Sequence, residues 1–361
     1  MRGVYWGLIL LVLPMFLRLV PGGDLRFAKD GLFLWSALLG IGMFGARAFK
    51  GTILTAFVAI ALLTFWNQYH PYSVSVYHQS LMVMAGWSIL AQGMEFTPRD
   101  WKRILPFIYA SVAVQVVWLV ANSLGTDPWN WVGLRRNWAT GGSADTTNTI
   151  MGVLHNPSIS APLLAAMVPF LLTRWSWPLL APALYGLYLC NSTMAWAGVL
   201  AAGVWWIARQ KNGKVLVGLA GIHVLAGLWM VRDSAWASTS GRVPAWSKWG
   251  EHVGSWASLD HLLGRGVGYV HDTFRSVYRD GNLIFLQLHS EPMEVHAAWG
   301  VAGLAALAAL LLQVRDRSSA WFYAFLILWV NSFGNLTFHI SATTLLMILC
   351  YAKIIQSPCK E

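Results

Sequence analysis

What most constrains this chain is a succession of apolar runs, each about as long as a bilayer is thick, joined for the most part by short connections. A hydrocarbon core of about 30 Å takes roughly 20 residues of helix, fewer where Trp or snorkelling Arg flank the ends. By that ruler about twelve spans are expected. They fall near 4–20, 31–46, 52–67, 79–94, 104–122, 150–173, 175–190, 193–208, 214–231, 292–313, 319–338 and 341–355. Backbone groups inside lipid must be satisfied within their own segment, so spans of this kind are helices. The expected fold is therefore all-α, a single polytopic transmembrane domain over 1–361. Hydrophobic residues are 57% of the 361 and charged ones 11%, which excludes an ordinary soluble domain. Pro and Asn between 175 and 208 leave the division there open by one pair of spans.

Orientation follows from the short loops, since Lys and Arg collect on the cytoplasmic side. With the N-terminus inside, the inner connections carry Arg47 and Lys50; Arg99, Lys102 and Arg103; Arg174; Arg209, Lys211 and Lys214; Arg315 and Arg317; and Lys353 and Lys360. The short outer connections 68–78, 191–192 and 339–340 carry none, and only 21–30 runs against the rule. Both termini are then cytoplasmic, and the loops 123–149 and 232–291 face outward. A net charge of +10 invites a nucleic-acid reading, but no basic run or zinc spacing supports one. A membrane explains that charge better. Cys190, Cys350 and Cys359 show no metal spacing, and none lies in the long loop, so neither a stabilising disulfide nor a metal is expected. The run from Val4 to Val20 lacks a small-residue cleavage site and reads as a retained helix.

Chemistry concentrates in one stretch, from Ser240 to Leu304. The same topology puts His70, His78, His252, His261, His271 and His289 in outer loops, with His155, His296 and His339 a turn or two from the outer boundary. Only His223 falls near mid-membrane. Trp246, Trp249, Val253 and Trp256 follow spacings of three, four and three, which places them on one helix face. Such a helix is expected to lie flat in the interface with its indoles at headgroup depth, and Pro244 suits its first turn. The GRGVG from Gly264 to Gly268 is too short for a nucleotide fingerprint and reads as a tight turn that brings Arg265 close to something.

The order SGR-x3-W (Ser240 to Trp246), LLGRGVG, and a His opening a segment that closes G-x-x-G-L (His289 to Gly300, Gly303 and Leu304) resembles the core signature of the O-antigen ligase and O-antigen polymerase superfamily. The stretch from Gly152 to Leu172 is similar to the family's G-x-x-x-N-P-N helix start. The likeness covers roughly residues 150 to 310. It implies a membrane glycosyltransferase of the GT-C kind, inverting and without metal or other cofactor. Such an enzyme moves a glycan from undecaprenyl-pyrophosphate to an acceptor sugar, lipid A-core or another glycan, at the periplasmic face of a bacterial inner membrane. On that resemblance the functional residues map onto Arg242 and His289. Two positions depart from the family pattern. His289 is followed by Ser290 where the family usually has Asn, and the eighth span opens Thr193-Met194 where an Arg is frequent. Arg135, Arg136 or Arg265 would have to replace that arginine.

The residues suit the chemistry. Pyrophosphate leaves without a proton, so the carboxylate pair of a glycosidase is unnecessary. A His with an ordinary pKa near 6.5 can take the acceptor hydroxyl's proton, worth roughly 10²–10⁴ in rate. Guanidinium groups bind phosphate oxygens bidentately and stay charged. Each candidate also has a structural reading. His289 is a base or a hydrogen bond at a loop-helix junction, and Arg242 is a pyrophosphate contact or a partner of Glu251 or Asp233. Glu294 orients His289, binds a sugar hydroxyl, or is simply paired. His155 and Asn156 serve the helix start or touch substrate. The 22 Trp anchor membrane interfaces by default, with Trp129, Trp131 and Trp138 forming a sugar platform as the sharper idea. The neighbours Glu251-His252, Asp260-His261 and His271-Asp272 match no usual metal site. A transporter would also have about twelve spans, but transporters place substrate groups near mid-membrane and show repeats, whereas this chain has little charge there, no obvious internal repeat and a long asymmetric outer loop. Protein glycosylation and chain polymerisation remain the nearest alternatives.

Overall fold

The structure, a computed structural model, describes residues 2–16, 96–126, 157–172, 176–210, 242–266, 269–270, 273, 288–335 and 341–356. The expected spans at 31–46, 52–67, 79–94 and 214–231 lie outside these, as do Arg135, Arg136, His155 and Asn156. No strand occurs among the described residues. The helices are α1 (Arg2–Phe16), α2 (Pro98–Ser123), α3 (Pro157–Leu171), α4 (Leu180–Cys190), led in by a 3-10 turn at Trp177–Leu179, α5 (Thr193–Ala208), α6 (Arg242–Val253), α7 (Ser258–Leu263), α8 (Glu291–Leu312), α9 (Ala320–Asn331) and α10 (Ser341–Gln356). Among these, α2 and α8 are long and apolar enough to cross a membrane.

Local chemistry sets the boundaries where hydropathy misplaces them. A start near 104 is expected for α2, because Arg99, Asp100, Lys102 and Arg103 precede the apolar run. The helix begins at Pro98 instead, because Thr97 and Asp100 form a capping box. The Thr97 Oγ1 accepts from the Asp100 N–H at 3.2 Å, and the Asp100 carboxylate accepts from the Thr97 N–H at 3.2 Å. Asn191 takes φ +47 after α4 and reverses the chain into α5, so 175–208 is two helices with a tight joint. Ser319 caps α9, accepting from the Phe322 N–H. That helix ends at Asn331, short of the expected 338, in a turn through Ser332 to Gly334.

Contacts sort the helix ends. Trp101 of α2 and Phe170 of α3 both meet Trp321 at the start of α9. Lys353 lies over Trp101, and the Arg315 N–H donates to the Ile354 carbonyl. Arg209 donates to the Arg317 carbonyl. The starts of α1, α2 and α9 and the ends of α3, α5, α8 and α10 thus share one end of the bundle, with the basic residues Arg99, Lys102, Arg103, Arg209, Arg315, Arg317 and Lys353. At the opposite end Met194 of α5 packs against Gly334 after α9, and the Glu291 N–H donates to the Ser332 carbonyl at 2.8 Å. Buried polar side chains gather there: Ser192, Ser290, Glu291, Glu294, Asn331, Ser332, Asn335, Thr343 and Thr344. Asn335 Nδ2 donates to Asn331 Oδ1, pairing two of them. The main apolar core lies between these ends, and a second, smaller core under α6 joins the polar one.

Candidate functional site

The start of α8 is a clamped junction. Glu294 is buried, and its Oε1 accepts from the Leu288 N–H at 2.6 Å. The Leu288 carbonyl in turn accepts from Trp246 Nε1 at 2.6 Å. Both polar groups of one peptide residue are therefore fixed, one by α8 and one by α6. Between this clamp and Ser290, the N-cap of α8, His289 takes φ +52. A non-glycine residue in the left-handed region costs of order 1–3 kcal/mol and persists where its surroundings hold it. The imidazole is half-buried at the polar end of the bundle. Arg242 opens α6, and Trp246 lies one turn later, so both positions share a helix face. The Trp246–Leu288 bond thus ties the first turn of α6 to the residue preceding His289. Glu294 serves this clamp through Leu288.

Ten residues into α8 the helix breaks. Gly300 takes φ +61 and ψ −156, a conformation open essentially to glycine alone. The break leaves the carbonyls of Ala297 and Ala298 without helical donors, and the GRGVG turn supplies them. The Arg265 N–H donates to Ala297 at 2.8 Å and the Gly266 N–H to Ala298 at 3.0 Å. Backbone meets backbone here. A Cβ on Gly300 would lie 2.5 Å from the His261 carbonyl oxygen, and one on Gly264, itself at φ +73, would collide with Ala298 and Trp299. The something that GRGVG approaches is the broken helix.

The Arg265 side chain is held locally. Nη2 pairs with Asp260 Oδ2 at 2.6 Å and Nη1 donates to Tyr269 Oη at 2.9 Å, while the guanidinium lies over the rings of Trp256 and Tyr269. The Arg265 hydrogen bond holds the Asp260 carboxyl below its usual range. The same phenol oxygen lies 2.9 Å from His252 Nε2, a hydrogen bond whose direction is set by the imidazole tautomer. Burial, then the Arg265 charge, push His252 down from its ordinary pKa. His261 and His296 flank Trp256, His296 in a stacked arrangement at 5.6 Å.

This relay of Arg265, Tyr269 and His252 is a feature that the sequence reading did not assemble. Its one signal is spacing, with Asp260 five residues before Arg265 and Tyr269 four after. Trp246 and Trp249 lie on α6, but that helix ends at Val253, so Trp256 follows it and does not complete the expected helix face. Trp249 and Trp256 are buried against Tyr269, Val270, Leu288 and Ala297, so these indoles are core and not headgroup anchors. Among the described residues no group of three or more His, Cys, Asp or Glu side chains converges to hold a metal. No family model matches the chain, and neither a curated protein nor a solved structure is significantly similar to it.

Proposed function

We propose that the chain is a multi-pass bacterial inner-membrane glycosyltransferase that moves a glycan from undecaprenyl-pyrophosphate to a sugar hydroxyl on lipid A-core. In this reading both termini are cytoplasmic, and the polar end of the bundle, with the loop 232–291, faces the periplasm. The observation that carries it is the Trp246–Leu288 hydrogen bond. It draws the arginine-bearing turn of α6 to the His289 junction, joining two motif halves that lie 42 residues apart at that bond. His289 is the base: it takes the acceptor hydroxyl's proton while that oxygen attacks the anomeric carbon from the face opposite the pyrophosphate. The carbon–oxygen bond to pyrophosphate breaks, and the configuration inverts. Arg242, with Arg135 and Arg136, neutralises the departing pyrophosphate bidentately. Arg265, already paired with Asp260, contributes by fixing the turn that docks on α8. The glycan donor and the acceptor meet at a junction whose backbone is set beforehand, which is where positioning gains rate.

The test uses protein purified into nanodiscs, an undecaprenyl-pyrophosphate-linked glycan and lipid A-core. Wild type forms the ligated product, and His289→Ala and Arg242→Ala, folded by circular dichroism, do not. Lengthening of the lipid-linked glycan without use of the acceptor would replace ligation by polymerisation. Movement of the glycan lipid across the bilayer with no product would overturn the enzyme reading in favour of transport.

A further inference from the structure

The leucine face of α7 points to a membrane contact inside an extramembrane loop. Leu259, Leu262 and Leu263, at spacings of three and one, form one stripe of this short helix and are 64%, 51% and 48% exposed. The opposite side of α7 carries Asp260 and His261 towards Arg265 and Trp256. Large apolar side chains left open in a loop call for an occupant.

Depth identifies it. The apolar helix α8 is long enough to cross a membrane, and its first segment runs from Glu291 to the break at Gly300. The backbone of Leu262 lies against Gly300, and Gly300 is roughly 13 Å along the helix from its first residue. The lowest described part of α7 is thus at the level of the apolar stretch of α8, below Glu291 and Glu294. Val301, next in the chain to Gly300, is itself 50% exposed, so the leucine stripe continues the open apolar surface of α8. Non-helical backbone is tolerated at membrane depth only where protein satisfies it. Arg265 and Gly266 meet that condition through the Ala297 and Ala298 carbonyls.

We propose that residues 258–266 form a shallow re-entrant turn whose Leu259, Leu262 and Leu263 contact the acyl chains of the adjoining leaflet. The inference rests on the reading of α8 as a membrane span. It makes the α7 leucines the loop's lipid anchor, while the α6 indoles stay in the protein.

The experiment attaches an environment-sensitive fluorophore to single cysteines in nanodiscs, on a Cys359→Ser background, since Cys190 and Cys350 are buried. Leu262→Cys and Leu259→Cys are compared with Val301→Cys and with Gln210→Cys, an exposed position at the basic end. Quenchers are a nitroxide on the lipid chain and iodide in water. Leu262→Cys and Leu259→Cys are expected to match Val301→Cys in nitroxide quenching and to be quenched by iodide several-fold less than Gln210→Cys. If Val301→Cys is lipid-quenched while both leucine positions behave like Gln210→Cys, the re-entrant turn is overturned and the span stands. If Val301→Cys too is open only to iodide, the membrane reading of α8 fails, and the turn fails with it.

Discussion

Gly300→Ala is the perturbation that isolates the docking of the GRGVG turn on α8. At φ +61 and ψ −156 an alanine costs about 1–3 kcal/mol in backbone strain alone, and its Cβ falls on the His261 and Leu262 backbone, which has no flexible end to move away. Straightening relieves both. A continuous α8 regains about 1 kcal/mol from replacing helical Gly by Ala, and the Ala297 and Ala298 carbonyls recover donors from their own helix. The N–H groups of Arg265 and Gly266 then lose their partners. The docked state is therefore disfavoured by roughly 2–4 kcal/mol, a factor of about 30–1000 in the opening equilibrium. Hydrogen exchange resolved at Arg265 and Gly266 should run at least about 30-fold faster in the variant. Transfer activity should fall with it, because the Arg265–Tyr269–His252 relay leaves α8. Gly203→Ala in α5, where a Cβ meets nothing within 4 Å, is the control and should be neutral or stabilising. Unchanged exchange at Arg265 and Gly266 in Gly300→Ala would refute the argument that the break and the turn are one feature.

Three further outcomes follow from the site. His289→Gly accepts φ +52 without strain, so it should keep the fold and lose roughly 10²–10⁴ in turnover, with free imidazole restoring part of it; loss without rescue would argue against a base. Glu294→Ala leaves the Leu288 N–H buried without its acceptor and should cost about 1–3 kcal/mol by denaturant titration, whereas Glu294→Gln, which retains an oxygen, should cost clearly less. His252 titrates below its ordinary value, so on acidification the unfolded chain takes up its proton first. Its contribution is whole above about pH 6.5 and is lost as pH falls towards the folded value. Protection of 246–256, corrected for intrinsic exchange, should drop between about pH 7.5 and about pH 5.5, and His252→Gln should flatten that drop.

Hydropathy made the described helices legible because lipid-length apolar runs have few other uses, and α5 follows its expected range of 193–208. Where a start depended on a cap, as at Thr97, apolar counting placed it late. The break at Gly300 could not be read at all: in WGVAGLAALAAL a glycine among small residues costs a helix little, and only a partner more than thirty residues away forces it open. The same limit governs the site. A spacing of three, four and three predicts one face for Trp246, Trp249, Val253 and Trp256, but it shows neither that the helix stops at Val253 nor whether lipid or protein meets the indoles. Leu259, Leu262 and Leu263 sit in a six-residue helix too short to show a period, yet they are the residues left open. Arg265 was legible as a cation near a turn. That its charge is spent on Asp260 and Tyr269 shows only in the fold, and which side of the turn docks is decided by Gly264 fitting against Ala298. Removing that fit with Gly264→Ala should therefore free the Arg265 and Gly266 N–H groups together, read as faster hydrogen exchange at both, while the Asp260–Arg265 pair, whose two members lie in the loop, stays formed.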